Sequence, residues 1–469
     1  MSRFYLIAAI LIVSTGCMTV GPDYEAPVPA VPDTWHTTAT AGLADGEASL
    51  QTWWTLLDDA QLNTLIERAQ EENLSLEAAV WRINEARALR GVTTGAQMPQ
   101  VALNGSSVRT QLSDNGLQTP PEGGFDPVSL HDYNVGASWE IDLFGRIRRS
   151  VEAADANLEA TTEAYRDVLV SVLSEVALGY IDVRSTQERL RLAHANVEGQ
   201  KETLQLTEDR FEAGLVSALD VAQAQSNLAN TESLIPTLSN LLERSLNRMA
   251  VLLGEPPGSL HEELATPAPI PDEPEHMTTG LPADLLRQRP DVRLRERELA
   301  AQTARIGVAT ADLYPSFSLS GVLGLQSANS GNLFSGSSLT WGVGLPIRWD
   351  LFNGGRIRSQ IEAEEARTEQ ALLAYEQTVL SALEEVENAM VAYEQESIRR
   401  ERLREAVDAT SRSLELVLTQ YRSGIADFQN VLDTQRSLLV RQDDLAVSEG
   451  LVVSNLISLY RALGGGWEP

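Results

Sequence analysis

Residues Arg210–Leu228 read RFEAGLVSALDVAQAQSNL, and residues Gln420–Leu438 read QYRSGIADFQNVLDTQRSL. The two stretches align at one constant offset, which pairs Gly214 with Gly424. In each copy a long apolar-periodic segment ends at this glycine, the residue that most readily adopts the left-handed conformation closing a helix. A new helical pattern starts within a few residues, so each copy predicts the tip of an αα-hairpin.

The duplication extends beyond the tips. Trp139–Arg148, WEIDLFGRIR, is repeated as Trp349–Arg358, WDLFNGGRIR. We therefore predict two structural repeats, residues 17–255 and 281–469, joined by a Pro-rich linker at 256–280. Each repeat has the same order of elements: short helices, a strand, a loop, a strand, a very long helix, the tip and a returning helix.

Alternation of apolar and polar residues predicts strands at about 100–112, 131–143, 316–326 and 339–351. The helical pattern that starts near Arg146 meets no proline before Gly214, which predicts a helix of about 65 residues and on the order of 95 Å. Such a helix needs neighbours in a coiled-coil-like layer. Its equivalent is predicted at about 357–422. The first returning helix, about 217–253, should bend at Pro236. The fold class is therefore α+β.

Composition excludes several functions. A net charge of −30 weighs against nucleic-acid binding, which requires a basic surface. The single cysteine, Cys17, permits no intramolecular disulfide, and the histidines have no metal-ligand spacing. No GxxxxGK[ST] loop or catalytic constellation is present. The sequence predicts no enzyme, cofactor or metal site, so energy for any transport must come from a partner.

The first residues predict export and lipidation. Arg3 precedes an apolar run too short to span a bilayer, and residues 14–17 read STGC. This resembles a lipoprotein signal peptide, 1–16, after which Cys17 receives fatty acyl chains such as palmitate. The alternative is an ordinary signal peptide with an incidental cysteine. Residues 18–51 are Pro-rich and show neither helical nor strand period.

Four strands of this length could cross a bilayer but cannot close a barrel, and a membrane does not tolerate open sheet edges. The chain must then oligomerise, and three copies give the twelve strands that leave room for a conduit. Trp139, Trp341 and Trp349 would form an interfacial girdle. The alternative is the edge of a soluble sandwich.

Several short motifs carry a family resemblance: the lipidation signal, GPDY at 21–24, LPADLL at 281–286, RPDV at 289–292, YP at 314–315 and the two tips. Together they resemble the TolC-type outer-membrane efflux proteins, in the lipoprotein branch typified by OprM and NodT. The resemblance implies a homotrimer in the outer membrane of a Gram-negative bacterium, with a twelve-stranded transmembrane β-barrel continuous with a long periplasmic α-helical barrel. It also implies a periplasmic adaptor and an inner-membrane resistance-nodulation-division pump as partners, and a role in antibiotic resistance.

The tip residues are the candidate functional residues. The resemblance implies that the tips close the periplasmic mouth, where threefold symmetry would turn a carboxylate into a cation-attracting ring. Candidates for this gate are Asp220, its equivalent Asn430, Asp433 and Tyr421. A capping or solvated role for the carboxylates, and a packing role for Tyr421, are the alternatives. Candidate adaptor contacts are Gly214, Leu215, Ser217, Leu219, Gly424 and Ile425.

Three other functions stay open at this stage. One is the exit duct of a type I peptide or protein secretion system, whose pump uses ATP. A metal-efflux channel is disfavoured because the methionines form no soft-ligand cluster. A periplasmic coiled-coil scaffold would need no membrane strands.

Overall fold

The computed structural model describes residues 18–37, 43–44, 50–119, 121–274, 277–278 and 288–468. The predicted signal peptide 1–16, the lipidation residue Cys17 and the motif at 281–286 lie outside these residues. The helices are α1 (Ala60–Glu72), α2 (Leu74–Gly95), α3 (Arg146–Glu212), α4 (Ala218–Glu232), α5 (Leu234–Leu252), α6 (Pro290–Ala311), α7 (Arg356–Arg422) and α8 (Phe428–Ala462). The strands are β1 (Leu43–Ala44), β2 (Gln100–Thr110), β3 (Val128–Ile141), β4 (Met277–Thr278), β5 (Ser316–Ser327), β6 (Leu339–Gly344) and β7 (Ile347–Arg348).

The two long helices, α3 and α7, each contain 67 residues. At 1.5 Å per residue each is about 100 Å long. Each begins directly after a glycine with positive φ, Gly145 at 83° and Gly355 at 89°, where the chain turns from strand to helix. The sequence predicted both helices because nothing in their interiors breaks the helical pattern.

The described chain divides into two compact units, and each unit takes residues from both repeats. Unit 1 comprises residues 18–28, Ile83–Thr161 and Arg295–Tyr375. Unit 2 comprises Pro29–Arg82, Thr162–Leu294 and Glu376–Pro469. The duplication in the sequence therefore does not correspond to two separate compact bodies.

Unit 1 contains an antiparallel sheet in the order β2-β3-β5-β6, with β7 paired to β5 beyond the end of β6. Each repeat supplies one hairpin, and β3 joins the two hairpins by pairing with β5. Within the described residues, β2 pairs only with β3, and β6 and β7 pair only with β5. Both outer edges of the sheet therefore present unpaired main-chain groups.

The two faces of this sheet differ in polarity. In one register Val135 lies opposite Leu103 and Leu323, and Leu323 lies opposite Trp341. In the next register Asn134 lies opposite a second asparagine. The apolar face is exposed or half-buried in the single chain, and it also carries Val101, Tyr133, Trp139, Leu319, Leu325, Leu339 and Val343.

The fourth strand was predicted as one segment, 339–351, and this is wrong. It is divided into β6 and β7, and Trp349 and Leu351 follow β7 outside any strand. The interruption contains Pro346, which has no N–H to donate to a ladder, although its carbonyl accepts from the Ser318 N–H at 3.1 Å. The other three strands lie within two or three residues of their predicted bounds.

Unit 2 is organised around one large apolar core. Trp53, which is fully buried, stacks on Tyr460 at a centroid distance of 5.6 Å. This contact joins the short helical segment Trp53–Leu57 to the last helix, α8. Other members of this core include Leu62, Leu65, Ile66, Leu173, Val176, Ile181, Met249, Leu253, Val452 and Leu456.

The described part of the predicted linker, 256–274, packs on unit 2 as a strap. Leu260 and Leu264 are each 1% exposed, so the segment contributes to the core. The Arg184 guanidinium donates to the Thr266 carbonyl at 3.0 Å. Arg400 in α7 holds Glu273 through two hydrogen bonds of 2.9 and 2.6 Å. The strap is therefore fixed by apolar and charged contacts.

The first returning helix is interrupted near Pro236, as the sequence predicted. α4 ends at Glu232 and α5 begins at Leu234, with Ser233 between them. Pro236 is the third residue of α5, where a helix has no main-chain acceptor for an N–H and proline costs little.

A two-residue parallel pairing was not predicted. Leu43 pairs with Met277, and Ala44 pairs with Thr278. Leu43 and Ala44 lie in the stretch predicted to have no strand period, and Met277 and Thr278 lie in the predicted linker. Pairs of residues are too short to produce a periodic pattern, and their partners lie more than 200 residues away in the sequence.

Candidate functional site

The two hairpin tips have the same main-chain structure. Gly214 and Gly424 adopt φ values of 74° and 73°. After each glycine, a main-chain N–H returns to the helix it has left: Leu215 donates to Arg210 at 2.9 Å, and Ile425 donates to Gln420 at 2.9 Å. These are the bonds of a Schellman helix end, which requires the left-handed residue. The duplicated sequence therefore encodes a duplicated turn.

The predicted adaptor contacts lie on the outside of these tips. Leu215 is 66% exposed, Leu219 64% and Ile425 78%. Ser217 is exposed and precedes α4. Apolar side chains with this exposure at a helix turn are available to a partner.

In the single chain, the Asp220 carboxylate bonds to a residue of its own tip. It accepts a hydrogen bond from the Ser217 N–H at 3.1 Å at the start of α4. Asp220 therefore caps α4, which was the alternative to a gate role for this residue. The N-terminal end of the helix also favours its negative charge. Asn430, the equivalent in the second tip, is exposed and its N–H donates to the Asp427 carbonyl at 3.2 Å.

Asp433 is the more available of the two tip carboxylates. It is exposed on the first turns of α8, and among the described residues its carboxylate accepts a hydrogen bond from Gln429 Nε2, at 3.0 Å. Gln429 is neutral and lies on the same helix, and the Asp433 carboxylate faces solvent.

Tyr421 is a packing residue in the single chain. It is 1% exposed, and its ring lies 5.7 Å from that of Phe428. Its hydroxyl donates to Thr207 Oγ1 at a long 3.4 Å. The rest of this tip core comprises Ala224, Val431 and Leu432. The packing alternative for Tyr421 is therefore observed, and a weak hydrogen bond accompanies it.

Arg210 connects the two tips and was not predicted as a site residue. Its Nη1 donates to the Tyr421 carbonyl, and its guanidinium carbon lies 4.6 Å from the centre of the Tyr421 ring. That carbonyl belongs to the last turn of α7, where the helix dipole favours a cation. A signal was present, because the equivalent of Arg210 in the second copy is the neutral Gln420.

Beside the tips, buried polar side chains join α3 to α8. Gln435 Nε2 donates to Thr203 Oγ1 at 2.8 Å, and both residues are buried. Gln200, 4% exposed, lines a cavity of about 230 Å³ between α3, α7 and α8. Polar contacts between helices provide register but contribute less packing energy than an apolar layer.

At the end of the sheet that leads into the long helices, the two repeats make an equivalent contact. The Trp139 indole N–H donates to the Gln97 carbonyl at 2.9 Å, and the Trp349 indole donates to the Leu313 carbonyl at 3.0 Å. Trp341 lies further along the apolar face, opposite Leu323. The girdle role of these three tryptophans stays a prediction.

In the part of the chain that the structure describes, no group of three or more His, Cys, Asp or Glu side chains is arranged to hold a metal ion. His276 lies outside that part. No helix among the described residues is long and apolar enough to cross a membrane.

The chain thus combines an amphipathic antiparallel sheet with two helices of 67 residues, each followed by a hairpin tip. Residues 65–255 and 281–465 match the family model "Outer membrane efflux protein". The chain belongs to this family. The two matched stretches correspond to the two copies of the repeat.

Individual relatives agree with this assignment. The chain is 31% identical over 458 residues to nodulation protein T of Rhizobium leguminosarum bv. trifolii, covering 97% of this chain and 96% of that protein. It is 29% identical to the antibiotic efflux pump outer membrane protein ArpC of Pseudomonas putida, covering 98% and 95%.

Solved structures show the same fold. The outer-membrane channel OprN superposes with a TM-score of 0.89 at 36% identity, over 96% of this chain and 100% of that one. The open-state outer membrane channel MtrE of Neisseria gonorrhoeae gives 0.80 at 26% identity, over 96% and 99%. These relatives are channel proteins, which supports a role in export rather than in catalysis.

Proposed function

We propose that this protein is the outer-membrane exit channel of a tripartite efflux system and passively conducts drugs or other small molecules. One observation carries the proposal: the sheet has an exposed apolar face and two open edges in a chain that belongs to the outer membrane efflux family. Lipid would cover the face, and neighbouring copies would pair with the edges. Three copies, each contributing four strands, would close a twelve-stranded barrel.

The apolar face has the length that this role requires. Along β3, the apolar face extends over nine residues, from Tyr133 to Ile141. A tilted strand needs about this length to cross a bilayer. At the loop end of this register His131 lies opposite Ser327, so the apolar face ends at polar residues.

The start of the described chain supports a lipid anchor at Cys17. The Val20 N–H donates to the Phe144 carbonyl at 3.2 Å, and a Cβ on Gly145 would meet Thr19 at 2.7 Å. Residue 19 therefore lies where β3 leads into α3, beside the end of the apolar face. A lipid on a residue two positions earlier would reach the same membrane surface.

The tips would supply the periplasmic contacts. Their exposed Leu215, Leu219 and Ile425 would meet a periplasmic adaptor, which would deliver substrate from an inner-membrane pump of the resistance-nodulation-division class. Asp433, with Asp220 and Asn430, would contribute to the polar lining of the mouth. Arg210 and Tyr421 would hold the two tips of one chain together while the mouth is closed.

A deletion strain tests the proposal. We expect the strain to become sensitive to pump substrates, and expression of the intact gene to restore resistance only when an adaptor and a resistance-nodulation-division pump are present. Purified protein should form heat-modifiable trimers that conduct ions in planar bilayers. Restoration that depends on an ATP-driven transporter would favour the secretion duct, and a monomer without conductance would contradict the channel.

A further inference from the structure

The two strand-to-helix junctions of the repeats differ in charge. In the first, Glu140 accepts from Arg146 at 3.0 and 2.6 Å, and Asp142 pairs with Arg148 at 3.3 Å. Asp142 also accepts from the Arg148 N–H at 2.8 Å. Two carboxylates therefore balance two guanidinium groups at this junction.

The second junction lacks this balance. Phe352 occupies the position of Asp142 in the repeat, so Asp350 is the only carboxylate in Trp349–Arg358. Its contacts are long, 3.4 Å to Arg348 and 3.8 Å to Arg356, and these arginine side chains are 81% and 69% exposed. The third arginine, Arg358, is exposed and has no ion-pair partner among the described residues. Arg348 and Arg356 also line a cavity that contains the carboxylates of Glu140, Asp142 and Asp312. Arg358 is therefore the cation of this junction that no carboxylate balances among the described residues.

Exposed apolar side chains lie next to these charges. Trp349 is 55% exposed, Leu351 78% and Phe352 93%. Trp349, Phe352 and Arg358 line one open cavity of about 380 Å³. The cavity follows directly after β7, whose Ile347 continues the apolar face of the sheet. Cationic and apolar groups therefore adjoin at the edge of the surface that lipid would cover.

We propose that the second junction binds the headgroup of an anionic phospholipid, a proposal that rests on the membrane insertion of the sheet described above. Arg358 contacts the phosphate, because a guanidinium presents paired N–H donors to phosphate oxygens. The acyl chains lie against Trp349, Leu351 and Phe352. Basic groups beside interfacial aromatic residues are the pattern by which membrane proteins retain anionic lipids. The first junction, whose charges are balanced, does not bind such a lipid.

Native mass spectrometry of the delipidated trimer tests this proposal, with phosphatidylglycerol and phosphatidylcholine as probes. We expect the wild-type trimer to prefer phosphatidylglycerol and the variant Arg358→Gln to bind it about fivefold more weakly. Arg109→Gln is the matched control, because Arg109 is an exposed arginine at the opposite end of the sheet. Asp350→Asn removes the competing carboxylate and should strengthen binding.

Three results would overturn the proposal: no preference for phosphatidylglycerol in the wild type, equal binding by Arg358→Gln, or displacement of the lipid by millimolar inorganic phosphate. Conductance of the same preparations distinguishes failure of the lipid site from failure of the proposed channel. A conducting trimer without lipid preference overturns only the lipid site. A chain that forms no membrane trimer overturns the channel and the lipid site together.

Discussion

Arg210 joins the two hairpin tips through the main-chain oxygen and the ring of one residue, Tyr421. Under the proposed function, replacing it with glutamine removes a charge-assisted hydrogen bond and a cation–π contact. This costs about 2 kcal/mol, or about a 30-fold shift of the mouth toward opening. We expect Arg210→Gln to raise the resting conductance in planar bilayers.

Arg422→Gln is the control for this experiment. Arg422 lies one residue after Tyr421 and is exposed, so its replacement changes the same charge at the same helix end without removing the contact between tips. Equal conductance changes in the two variants would show that net charge, rather than the Arg210 contact, governs the mouth.

Under the proposed function, Asp433 is the tip carboxylate available to passing ions, because it is exposed on α8. Threefold symmetry would repeat it around the mouth, and a ring of carboxylates attracts cations. We expect Asp433→Asn to lower cation preference, measured as a shift of reversal potential toward zero in a salt gradient.

Asp220→Asn is the informative comparison for Asp433. Asp220 already accepts the Ser217 N–H, so its replacement should lower the stability of α4 by about 1 kcal/mol. Reversal potentials that change in Asp220→Asn and not in Asp433→Asn would assign selectivity to the first tip instead.

At the scale of elements, each tip requires glycine for its left-handed main-chain conformation, and not because a side chain would lack space. A Cβ on Gly214 would meet nothing within 4 Å, and one on Gly424 would meet only Arg210 Nη2 at 3.7 Å. A β-branched residue at either position should cost about 1 to 3 kcal/mol of local strain. We expect Gly214→Val and Gly424→Val to reduce drug resistance while trimers still form.

Gly199→Val controls for replacing a glycine by valine inside α3, the helix that the first tip follows. Gly199 lies in α3 without positive φ, and a Cβ added to it would meet nothing within 4 Å. The need for the tips would be refuted by full resistance in both tip variants.

The strap 256–274 gives an element-scale prediction for pH. Burial alone would raise the pKa of Glu273, but hydrogen bonds from Arg400 outweigh burial and lower this pKa below its ordinary value of 4.5. Because the folded-state pKa is the lower one, the stabilisation is complete above about pH 4.5 and is lost as the pH falls through the folded pKa. Arg400→Gln should therefore lower the stability of unit 2 by about 2 kcal/mol at pH 7, and by less in acid.

Thermal unfolding followed by circular dichroism at several pH values measures this loss. Arg402→Gln is the control, because Arg402 is exposed and pairs within α7 with Glu405. A pair of that kind contributes about 0.3 to 0.5 kcal/mol. The strap contact would be irrelevant to stability if both variants unfolded at the same temperature.

Elements determined by local sequence were predictable. The paired tips, the two long helices and the bend near Pro236 each follow from residues within a few positions of one another. Contacts between distant residues were not: Arg210 meets Tyr421 across 211 positions, and Trp53 meets Tyr460 across most of the chain. The break at Pro346 had a local signal, since proline disrupts a ladder, and the alternating apolar residues on either side of it concealed that signal.

At the scale of the whole molecule, the two faces of the sheet must meet different surroundings. Val343 is 75% exposed on the apolar face, while Thr340, three residues earlier on β6, lies on the polar face opposite Gly324. An arginine facing lipid costs about 2 to 4 kcal/mol near the middle of the bilayer, and one facing a water-filled interior costs little. Val343→Arg should therefore sharply reduce heat-modifiable trimers in outer-membrane fractions, whereas Thr340→Arg should leave trimers in place and change conductance. The reverse result would place the apolar face inside the assembly, because only then would the arginine at 343 reach water and the arginine at 340 reach lipid.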